Sequence, residues 1–297
     1  AGDEANAVGY PIMLKGTAGG GGIGMALCKT PNELNENFDR VCRLAESNFG
    51  NAGIFLEKFF PEARHLEVQV FGDGEGRALS LGVRDCSAQR RNQKVLEETP
   101  PIGVNSKTLE ALEESARNLA KSVSYLSAGT VEFLYDEDTD SFFFLEVNTR
   151  LQVEHGVTEL VHGIDLVEWM IQLSRGDSSM FDEAIPYFQG HAVQARIYAE
   201  NPARNFEPCS GLISSVKFPE DIRLDGWVQD GTEVTPFYDP LLAKILAHGK
   251  DRDEAIQKLQ AALSQTEIHG IETNIEYLND WVEKHWSGME PIHTRSL

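Results

Sequence analysis

The stretch FLEVNTRLQVEHGVTE, at residues 144–159, places a polar side chain at every second position of its central part. These polar residues are Glu146, Asn148, Arg150, Gln152 and Glu154. A period of two is typical of a β-strand, so one face would be apolar and the other would hold acids, amides and a guanidinium. An edge strand whose polar face meets water is the simpler interpretation, and the upstream sequence bears on the choice.

Upstream of this stretch, the sequence predicts a β-hairpin that brings two carboxylates together. Its strands, at residues 130–135 and 141–148, would flank the turn DEDTD at residues 136–140. The predicted cross-strand pairs are Glu132 with Glu146, Val131 with Val147 and Phe133 with Leu145. Opposed side chains have Cβ atoms about 4.5–5.5 Å apart, so like charges repel there. Either a hard divalent cation separates the two acids, with Asn148 as a third ligand, or one Glu has a raised pKa.

The polar row is too long for one compact site unless the chain bends. From Glu146 to Glu154 a straight strand would span roughly 26 Å at about 3.3 Å per residue, so we expect a bend after about Arg150. The row would then run from a cation at Glu146 and Asn148 to an anion held by Arg150, with Glu154 left as a base. We favour this interpretation because phosphoryl transfer needs a metal on the phosphates, cations against developing charge and a group that prepares the nucleophile.

A glycine-rich loop, TAGGGGIG at residues 17–24, joins two predicted strands at residues 8–15 and 25–29. No Lys-Ser/Thr pair follows the glycines and no helix begins there, so the loop is neither a P-loop nor a dinucleotide fingerprint. Its bare N–H groups could fold over phosphates, and Lys15 could add a point charge. A flexible hairpin tip is the alternative interpretation.

A basic cluster, RDCSAQRRNQK, occupies residues 84–94. Its cations are Arg84, Arg90, Arg91 and Lys94. The whole chain has 26 basic residues against 47 acidic ones, so this local concentration of positive charge indicates an anion site. A solvated surface strip, paired with Glu97 and Glu98, fits the same pattern.

Length, charge and cysteine usage limit the remaining possibilities. With 297 residues the chain is long enough for two domains, and we place a break near residue 189, followed by a mainly β and then α unit. A net charge of −21 argues against a nucleic-acid partner. The four cysteines show neither metal-binding nor disulfide spacing, and no apolar run approaches the roughly 20 residues of a membrane helix, which fits a reducing cytoplasm.

Two helix starts are also predicted from capping residues. Ser106 precedes an apolar periodicity of three to four residues and is expected to cap a helix. Asp165, with Glu168 three residues later, predicts a second helix that begins with a capping box.

Five phrases of the sequence are informative in combination: GYPIMLKGTAGGGGIGM, ARHLEVQV, RDCSAQRRNQKVLEETPP, LEVNTRLQVEHGVTE and PFYDPLLAKILAHG. Together they resemble the biotin carboxylase component of biotin-dependent carboxylases, which is an ATP-grasp enzyme. The phrases AGGGGIGM and DLVEWM, with Asn92 where the family usually has His, resemble the urea carboxylase part of urea amidolyase. Acyl-CoA and pyruvate carboxylases share the same component. A non-catalytic nucleotide-binding fragment is the remaining alternative.

The resemblance implies an α+β fold in three parts. These are an ATP-grasp lid subdomain at residues 1–60, a main lobe with the metal and bicarbonate site at residues 61–189, and a biotin carboxylase C-terminal domain at residues 190–297. The family's N-terminal α/β domain would be missing, so we expect a segment of a longer protein that is poorly active alone. The sequence has no Met-Lys-Met attachment motif, so biotin would arrive on a carrier segment, with a carboxyltransferase segment as a further partner. A homodimer is also expected, because biotin carboxylases often pair.

The resemblance also implies roles for individual residues. The ATP-binding residues would be Lys15, Gly21, Gly22, Glu57, Lys58, Phe60, His65, Gln89, Asn92, Glu132 and Glu146. The ligands of two Mg²⁺ or Mn²⁺ ions would be Glu132, Glu146 and Asn148. The bicarbonate-binding residues would be Lys94, Arg150, Gln152 and, through its backbone, Val153. The catalytic residues would be Lys94, Arg150, Glu154 and Arg223.

In the mechanism that the resemblance implies, Glu154 deprotonates bicarbonate, which attacks the γ-phosphate of ATP to give carboxyphosphate. Carboxyphosphate breaks down to CO₂ and phosphate, and the phosphate removes a proton from biotin. Arg223 stabilises the resulting enolate, which captures CO₂. Closure of the glycine lid would exclude water that hydrolyses the intermediate. Gly156, where the family usually has Pro after the QVEH motif, is a second departure besides Asn92.

Overall fold

The computed structural model describes residues 2–17, 24–183, 188–286, 288 and 292–297, and the chain divides into two compact units, Ala1–Ala63 and Arg64–Leu297. The elements of the first unit are α1 Gly2–Val8, β1 Ile12–Gly16, β2 Met25–Cys28, α2 Pro31–Phe49 and β3 Ile54–Lys58. The three strands form an antiparallel sheet in the order β2-β1-β3. Apolar side chains of β1 pack with those of α2 in a small core.

The predicted strand at residues 8–15 is wrong at its start, because Val8 ends helix α1. Gly9 follows with a φ of 80° and donates its N–H to the Ala5 carbonyl, an arrangement that ends helices. The pairing of β1 with β2 confirms the two strands predicted on either side of the glycine loop. Residues 18–23, which include the predicted phosphate-binding Gly21 and Gly22, lie outside the described residues.

The second unit is built on one antiparallel sheet. Its elements up to residue 174 are β4 Arg64–Asp73, β5 Ala78–Arg90, β6 Gln93–Thr99, α3 Ser106–Ser122, β7 Leu126–Asp136, β8 Ser141–Asn148, α4 His155–His162 and α5 Leu166–Ser174. Those that follow are β9 His191–Tyr198, β10 Glu200–Asn201, β11 Glu207–Pro208, β12 Gly211–Leu212, β13 Ser215–Lys217, β14 Arg223–Gly226, β15 Glu233–Val234, β16 Leu241–Gly249, α6 Arg252–Gln265, β17 Glu267–His269 and α7 Ile275–Trp281. Short 3₁₀ turns lie at Ser179–Phe181 and Pro202–Arg204, and a π-helical turn at Val282–Trp286.

The main sheet of this unit has eight strands in the order β14-β16-β9-β6-β5-β4-β7-β8. Because β6 pairs with β9, the sheet is continuous across the predicted break near residue 189. The small pairs β10-β11, β12-β15 and β13-β17 complete the strand pairing of the described residues.

Alternation along the strands separates an apolar core from a polar row. Leu66 of β4 packs with Leu112 of α3, and this places His65, Glu67 and Gln69 on the other face of the strand. A second apolar cluster joins β9 and β16 to α6 and α7. None of the helices in the described ranges combines the length and the apolar composition that crossing a bilayer requires.

The hairpin of β7 and β8 has the predicted register at its polar end. The observed pairs are Val131 with Val147, Glu132 with Glu146 and Phe133 with Phe144. The first two pairs confirm the prediction, whereas the third corrects it, because the register shifts by one residue between Glu132 and Phe133. Such a β-bulge leaves Leu145 without a directly opposed partner and could not be read from the hydrophobic pattern.

The predicted bend in the polar row is confirmed. β8 ends at Asn148, a turn follows, and α4 begins at His155. Glu154 is the residue directly before this helix and is fully buried. The polar residues of the opening stretch therefore do not share one straight strand.

The two predicted caps have different outcomes. Asp165 caps α5, because its carboxylate accepts the Glu168 N–H at 2.8 Å. The cap of α3 is Asn105 rather than Ser106, since Asn105 has extended backbone and its Oδ1 accepts the Thr108 N–H at 2.9 Å. Ser106 is the first helical residue and is exposed.

Replacing Asn105 with Ala should lower the free energy of unfolding by about 1 kcal/mol, because the Thr108 N–H loses its acceptor. Ser106→Ala should change that free energy by less than about 0.5 kcal/mol, because it removes only an exposed hydroxyl group that does not cap the helix. Urea unfolding of both variants measures the two values. A larger loss for Ser106→Ala would show that Ser106 stabilises the helix start after all.

Candidate active site

The ammonium group of Lys94, on β6, lies among three carboxylates. Its Nζ is 2.6 Å from Glu67 Oε2 on β4, 2.7 Å from Glu132 Oε1 on β7 and 2.7 Å from Glu154 Oε1 before α4. An ammonium has three donors, so these three acids use all of them. Burial alone would lower the pKa of Lys94, but the charges of the carboxylates, Glu67 foremost, raise it well above its ordinary value. Lys94 is therefore a fixed cation at the centre of this cluster.

Acids form a row across the sheet. Glu67 lies directly opposite Glu132, which in turn lies opposite Glu146, and Arg84 of β5 lies opposite Glu67 on the other side. The Arg84 guanidinium is fully buried and donates to Glu67 Oε1 at 2.6 Å. Two of these three acids, Glu67 and Glu132, are thus compensated by Arg84 and Lys94 from neighbouring strands.

These cations keep the buried acids ionised. Burial alone would raise the pKa of Glu67, but Lys94 and Arg84 lower it to about 2. Burial acts in the same direction on Glu132, where the hydrogen bond and charge of His65 and the charge of Lys94 lower the pKa to about 2. The alternative of a raised pKa is therefore wrong for Glu132. The opposition of Glu132 and Glu146 is tolerated in the folded chain because Lys94 and His65 face one of the two acids.

Three hydrogen bonds and one close His–carboxylate contact join five of the predicted site residues into one chain. Gln89 Nε2 lies 2.9 Å from His65 Nδ1, and His65 Nε2 lies 3.0 Å from Glu132 Oε2. Gln152 donates from Nε2 to Glu132 Oε1 at 3.2 Å, and Arg150 donates from Nη1 to Gln152 Oε1 at 2.8 Å. The bend after β8 thus brings Arg150 and Gln152 back to the acid row.

Glu146 and Asn148 remain on the open side of this row. Glu146 is exposed, Asn148 is half-buried, and the Asn148 amide lies 3.4 Å from Glu146 Oε1. Two opposed carboxylates and a neighbouring amide are the oxygen donors that a hard divalent cation prefers, so Glu132, Glu146 and Asn148 fit such an ion.

Two other groups of ligand-type atoms within the described residues do not fit a metal as well. One comprises His65, Glu67 and Glu132, and the other Glu67, Cys86 and Glu154, with ligand atoms within 4.8 Å of one another. Lys94 bonds to both acids of each group, so a cation of the chain takes the place that a metal would need, whereas among Glu132, Glu146 and Asn148 it bonds to Glu132 alone.

Glu154 is held from a second side by Arg196, a residue that the sequence did not single out. Arg196 of β9 donates from Nη2 to Glu154 Oε2 at 2.9 Å and from Nε to Glu97 Oε1 at 2.6 Å. Burial, aided by the charge of Glu154, raises the pKa of Glu97 although Arg196 opposes it. Alternation of polar residues along β4 is a signal that could have identified Glu67, whereas the contact of Arg196 joins residues 42 positions apart and has no local signal.

Three cations of the predicted basic cluster are bonded to acids of the chain. Arg84 is buried against Glu67, Arg90 donates to Glu200 at 2.5 Å, and Lys94 is half-buried among carboxylates. The interpretation as a solvated strip paired with Glu97 and Glu98 is therefore wrong, whereas the anion site stays a prediction. Arg84 and Lys94 meet at Glu67, whereas Arg90 is paired with Glu200.

Arg223, on β14, belongs to a second network. Its Nη2 lies 2.7 Å from Glu159 Oε2 on α4, and its Nε and Nη2 each lie 3.2 Å from the carboxylate of Asp225. Lys244 of β16 lies 3.2 Å from the same Asp225 and donates to the Val153 carbonyl at 2.6 Å. The predicted catalytic Arg223 is thus linked to the predicted bicarbonate-binding turn through Lys244, although it is not part of the Lys94 cluster.

The other predicted nucleotide-binding residues have simpler surroundings. In the first unit Lys15 forms an ion pair with Glu57, and Lys58 donates to the Gly9 carbonyl at 2.8 Å, while Phe60 follows β3. In the second unit Asn92 lies at the tip of the β5–β6 hairpin with a φ of 65°, a left-handed conformation that Asn adopts more readily than most residues.

Two family profiles match this chain. The family described as "Carbamoyl-phosphate synthase L chain, ATP binding domain" matches residues 1–180, and the family described as "Biotin carboxylase C-terminal domain" matches residues 194–297. Among curated relatives, urea amidolyase of Saccharomyces cerevisiae is 51% identical over 288 residues. That alignment covers 97% of this chain and 16% of the relative, so the chain spans about a sixth of that protein's length.

Solved structures agree with these matches. The biotin carboxylase domain of Hydrogenobacter thermophilus 2-oxoglutarate carboxylase, in complex with MgADP, ADP and bicarbonate, has a TM-score of 0.94 and 36% identity, and the match covers 100% of this chain and 66% of that one. Kluyveromyces lactis urea carboxylase has a TM-score of 0.77 and 44% identity, with 90% of this chain and 22% of that chain covered. These findings confirm the resemblance and the predicted fold class. The chain belongs to the biotin carboxylase family of ATP-grasp enzymes.

Proposed function

We propose that this chain carries out the ATP- and bicarbonate-dependent carboxylation of biotin, as the biotin carboxylase part of a urea carboxylase or urea amidolyase. The observation that carries the proposal is the Lys94 cluster, which holds the ionised Glu132 and the buried Glu154 next to Gln152 and Arg150. Urea is preferred over an acyl-CoA or pyruvate as the final acceptor because urea amidolyase is 51% identical, against 43% for a methylcrotonoyl-CoA carboxylase subunit.

The chain would comprise three domains. These are the lid at residues 1–60, the main lobe at residues 61–189 and the C-terminal domain at residues 190–297. ATP would be bound by Lys15, Gly21, Gly22, Glu57, Lys58 and Phe60 of the lid part, and by His65, Gln89, Asn92, Glu132 and Glu146 of the main lobe. Partners would be a biotin carrier segment, a carboxyltransferase segment and a second copy of the chain. The four free thiols fit a reducing compartment such as the cytoplasm.

In the first step, Arg150, Gln152 and the Val153 backbone would orient bicarbonate. Glu154 takes the bicarbonate proton, the freed oxygen forms a bond to the γ-phosphorus of ATP, and the bond to the bridging oxygen breaks, leaving ADP and carboxyphosphate. The ammonium of Lys94, which lies 2.7 Å from Glu154, would release one of its three carboxylate partners to face the charge that develops on the transferred group.

Two groups that the chain would bind complete this chemistry. Mg²⁺ or Mn²⁺, held by Glu132, Glu146 and Asn148, would supply positive charge against the ATP phosphates. Biotin would supply the nitrogen that takes up the carboxyl group. Arg223 keeps 31% of its side-chain surface exposed while bonded to Glu159 and Asp225, so its guanidinium can reach an anionic partner without leaving its supports.

Glu154→Gln should lower bicarbonate-dependent phosphate release at least about 100-fold, because the amide cannot accept the proton. The measurement is phosphate release with and without bicarbonate in the full-length polypeptide that contains this chain. Glu110→Gln, which neutralises an exposed acid on α3, is the matched control and should retain the wild-type rate. Equal rates with and without bicarbonate in the wild-type protein would rule out the proposed function.

The Lys94 cluster should also make the fold sensitive to acid. Glu67 and Glu132 have folded-state pKa values of about 2 against an ordinary 4.5, so their stabilisation is complete above about pH 4.5 and is lost as the pH falls towards 2. The loss should be on the order of 3 kcal/mol for each group.

Urea unfolding at a series of pH values between 6 and 3 measures this loss. Glu132→Gln removes one of the two titrating groups, so its free energy of unfolding should be lower at pH 6 and should fall less steeply on acidification. If variant and wild type lose stability in parallel, Glu132 is not ionised by its neighbours as described.

A further inference from the structure

Three adjacent strands carry a second row of charges, distinct from the acid row around Lys94. Asp225 of β14 lies directly opposite Lys244 of β16, and Lys244 lies directly opposite Arg196 of β9. Directly opposed residues point to the same face of a sheet, so the three side chains form one line of alternating charge. Because Arg223 is two residues before Asp225, it points to this face as well.

The cations of this face all reach the segment at residues 153–159. Lys244 donates to the Val153 carbonyl at 2.6 Å, Arg196 to Glu154 at 2.9 Å, and Arg223 lies 2.7 Å from Glu159. The bend after β8 and the start of α4 are therefore bound to the β14-β16-β9 end of the sheet by three charged side chains.

Close packing accompanies these bonds. A Cβ added to Gly156 would lie 2.4 Å from Leu246 Cδ2 of β16 and 3.5 Å from Arg223 Cζ. Contacts below 3.0 Å force atoms to move, so glycine at this position allows the first turn of α4 to approach β16 and Arg223. Leu246 is two residues from Lys244 and on the same face of β16, which places the packing beside the hydrogen bond to Val153.

Lys244 has a distinctive position within this arrangement. Its side chain is buried, and the contacts of its ammonium are the Val153 carbonyl and Asp225. Burial lowers the pKa of Lys244, with a contribution from Arg223, while Asp225 opposes the change. Burying a cation costs desolvation free energy unless it is well paired. Replacing a buried ion pair with apolar residues often leaves a protein at least as stable. The hydrogen bond from Lys244 to the Val153 carbonyl indicates a role for this cation in positioning the backbone.

We infer that Lys244 is a positioning residue for the carboxylation reaction, because it fixes the backbone between Val153 and Glu154 and, through Asp225, ties it to Arg223. The inference rests on the proposed function, in which the turn at residues 152–154 binds bicarbonate and Arg223 serves biotin. The Val153 carbonyl belongs to the peptide that leads into Glu154, so its orientation sets the direction from which the Glu154 carboxylate enters the site. Lys244 itself touches neither substrate in this assignment.

Lys244→Met should raise the KM for bicarbonate about tenfold in bicarbonate-dependent phosphate release, while the KM for ATP stays within about twofold of wild type. Asp225→Asn leaves the Lys244–Val153 bond but loosens Arg223, so it should lower the amount of free biotin carboxylated for each phosphate released. The matched control is Lys258→Met, which removes a half-exposed lysine of α6 that is paired with Glu254. All variants are measured in the full-length polypeptide, with thermal unfolding as a check on folding.

The outcomes separate the inference from the function on which it rests. Wild-type protein without bicarbonate-dependent phosphate release overturns the proposed function. An active wild type, together with a Lys244→Met variant whose KM for bicarbonate is unchanged or rises no more than its KM for ATP, overturns the inference alone. If Lys244→Met does not fold, Asp225→Asn decides, and an unchanged ratio of carboxylated biotin to phosphate contradicts the link to Arg223.

Discussion

The bonding of one ammonium group to three carboxylates is the interaction on which this site depends. Glu67, Glu132 and Glu146 occupy directly opposed positions on three neighbouring strands, an order that like charges disfavour. Lys94, with Arg84 and His65 around it, supplies the compensating charge for the buried members. Because the same ammonium also bonds to Glu154, one lysine sets the relative positions of residues from three separate segments of the chain.

The chain shows how a strongly acidic protein can hold positive charge at a few internal positions. Its net charge of −21 gives no indication of an anion site, since the cations that matter are few and buried. Lys94, Arg196 and Lys244 all lie inside the second unit and are all bonded to acids or carbonyls of the chain. Burial in a medium of low dielectric strengthens such local fields, so placement outweighs the total count.

Local sequence patterns predicted the secondary structure around the site well. Contacts between residues far apart in the sequence could not be predicted from such patterns. The alternation in residues 144–159 predicted the strand and its bend, and the turn position predicted the pairing of Glu132 with Glu146. The bulge that moves Phe133 opposite Phe144 has no pattern of its own, because one inserted residue leaves the polarity of its neighbours unchanged. Arg196 and Lys244 were missed because their partners lie 42 and 91 residues away. The solvated-strip interpretation of the basic cluster failed for the same reason, since Arg84, Arg90 and Lys94 bond to Glu67, Glu154 and Glu200 rather than to the neighbouring Glu97 and Glu98.

The pairing of β6 with β9 has a consequence for how members of this family can be recombined. A crossover at the apparent module boundary would cut through a single sheet and would also separate Arg196 from Glu154. A chimaera of two relatives would then have to preserve both the pairing of β6 with β9 and the buried ion pair of Arg196 with Glu154. Natural shuffling and laboratory grafting should therefore succeed with both parts transferred together, as one heritable block.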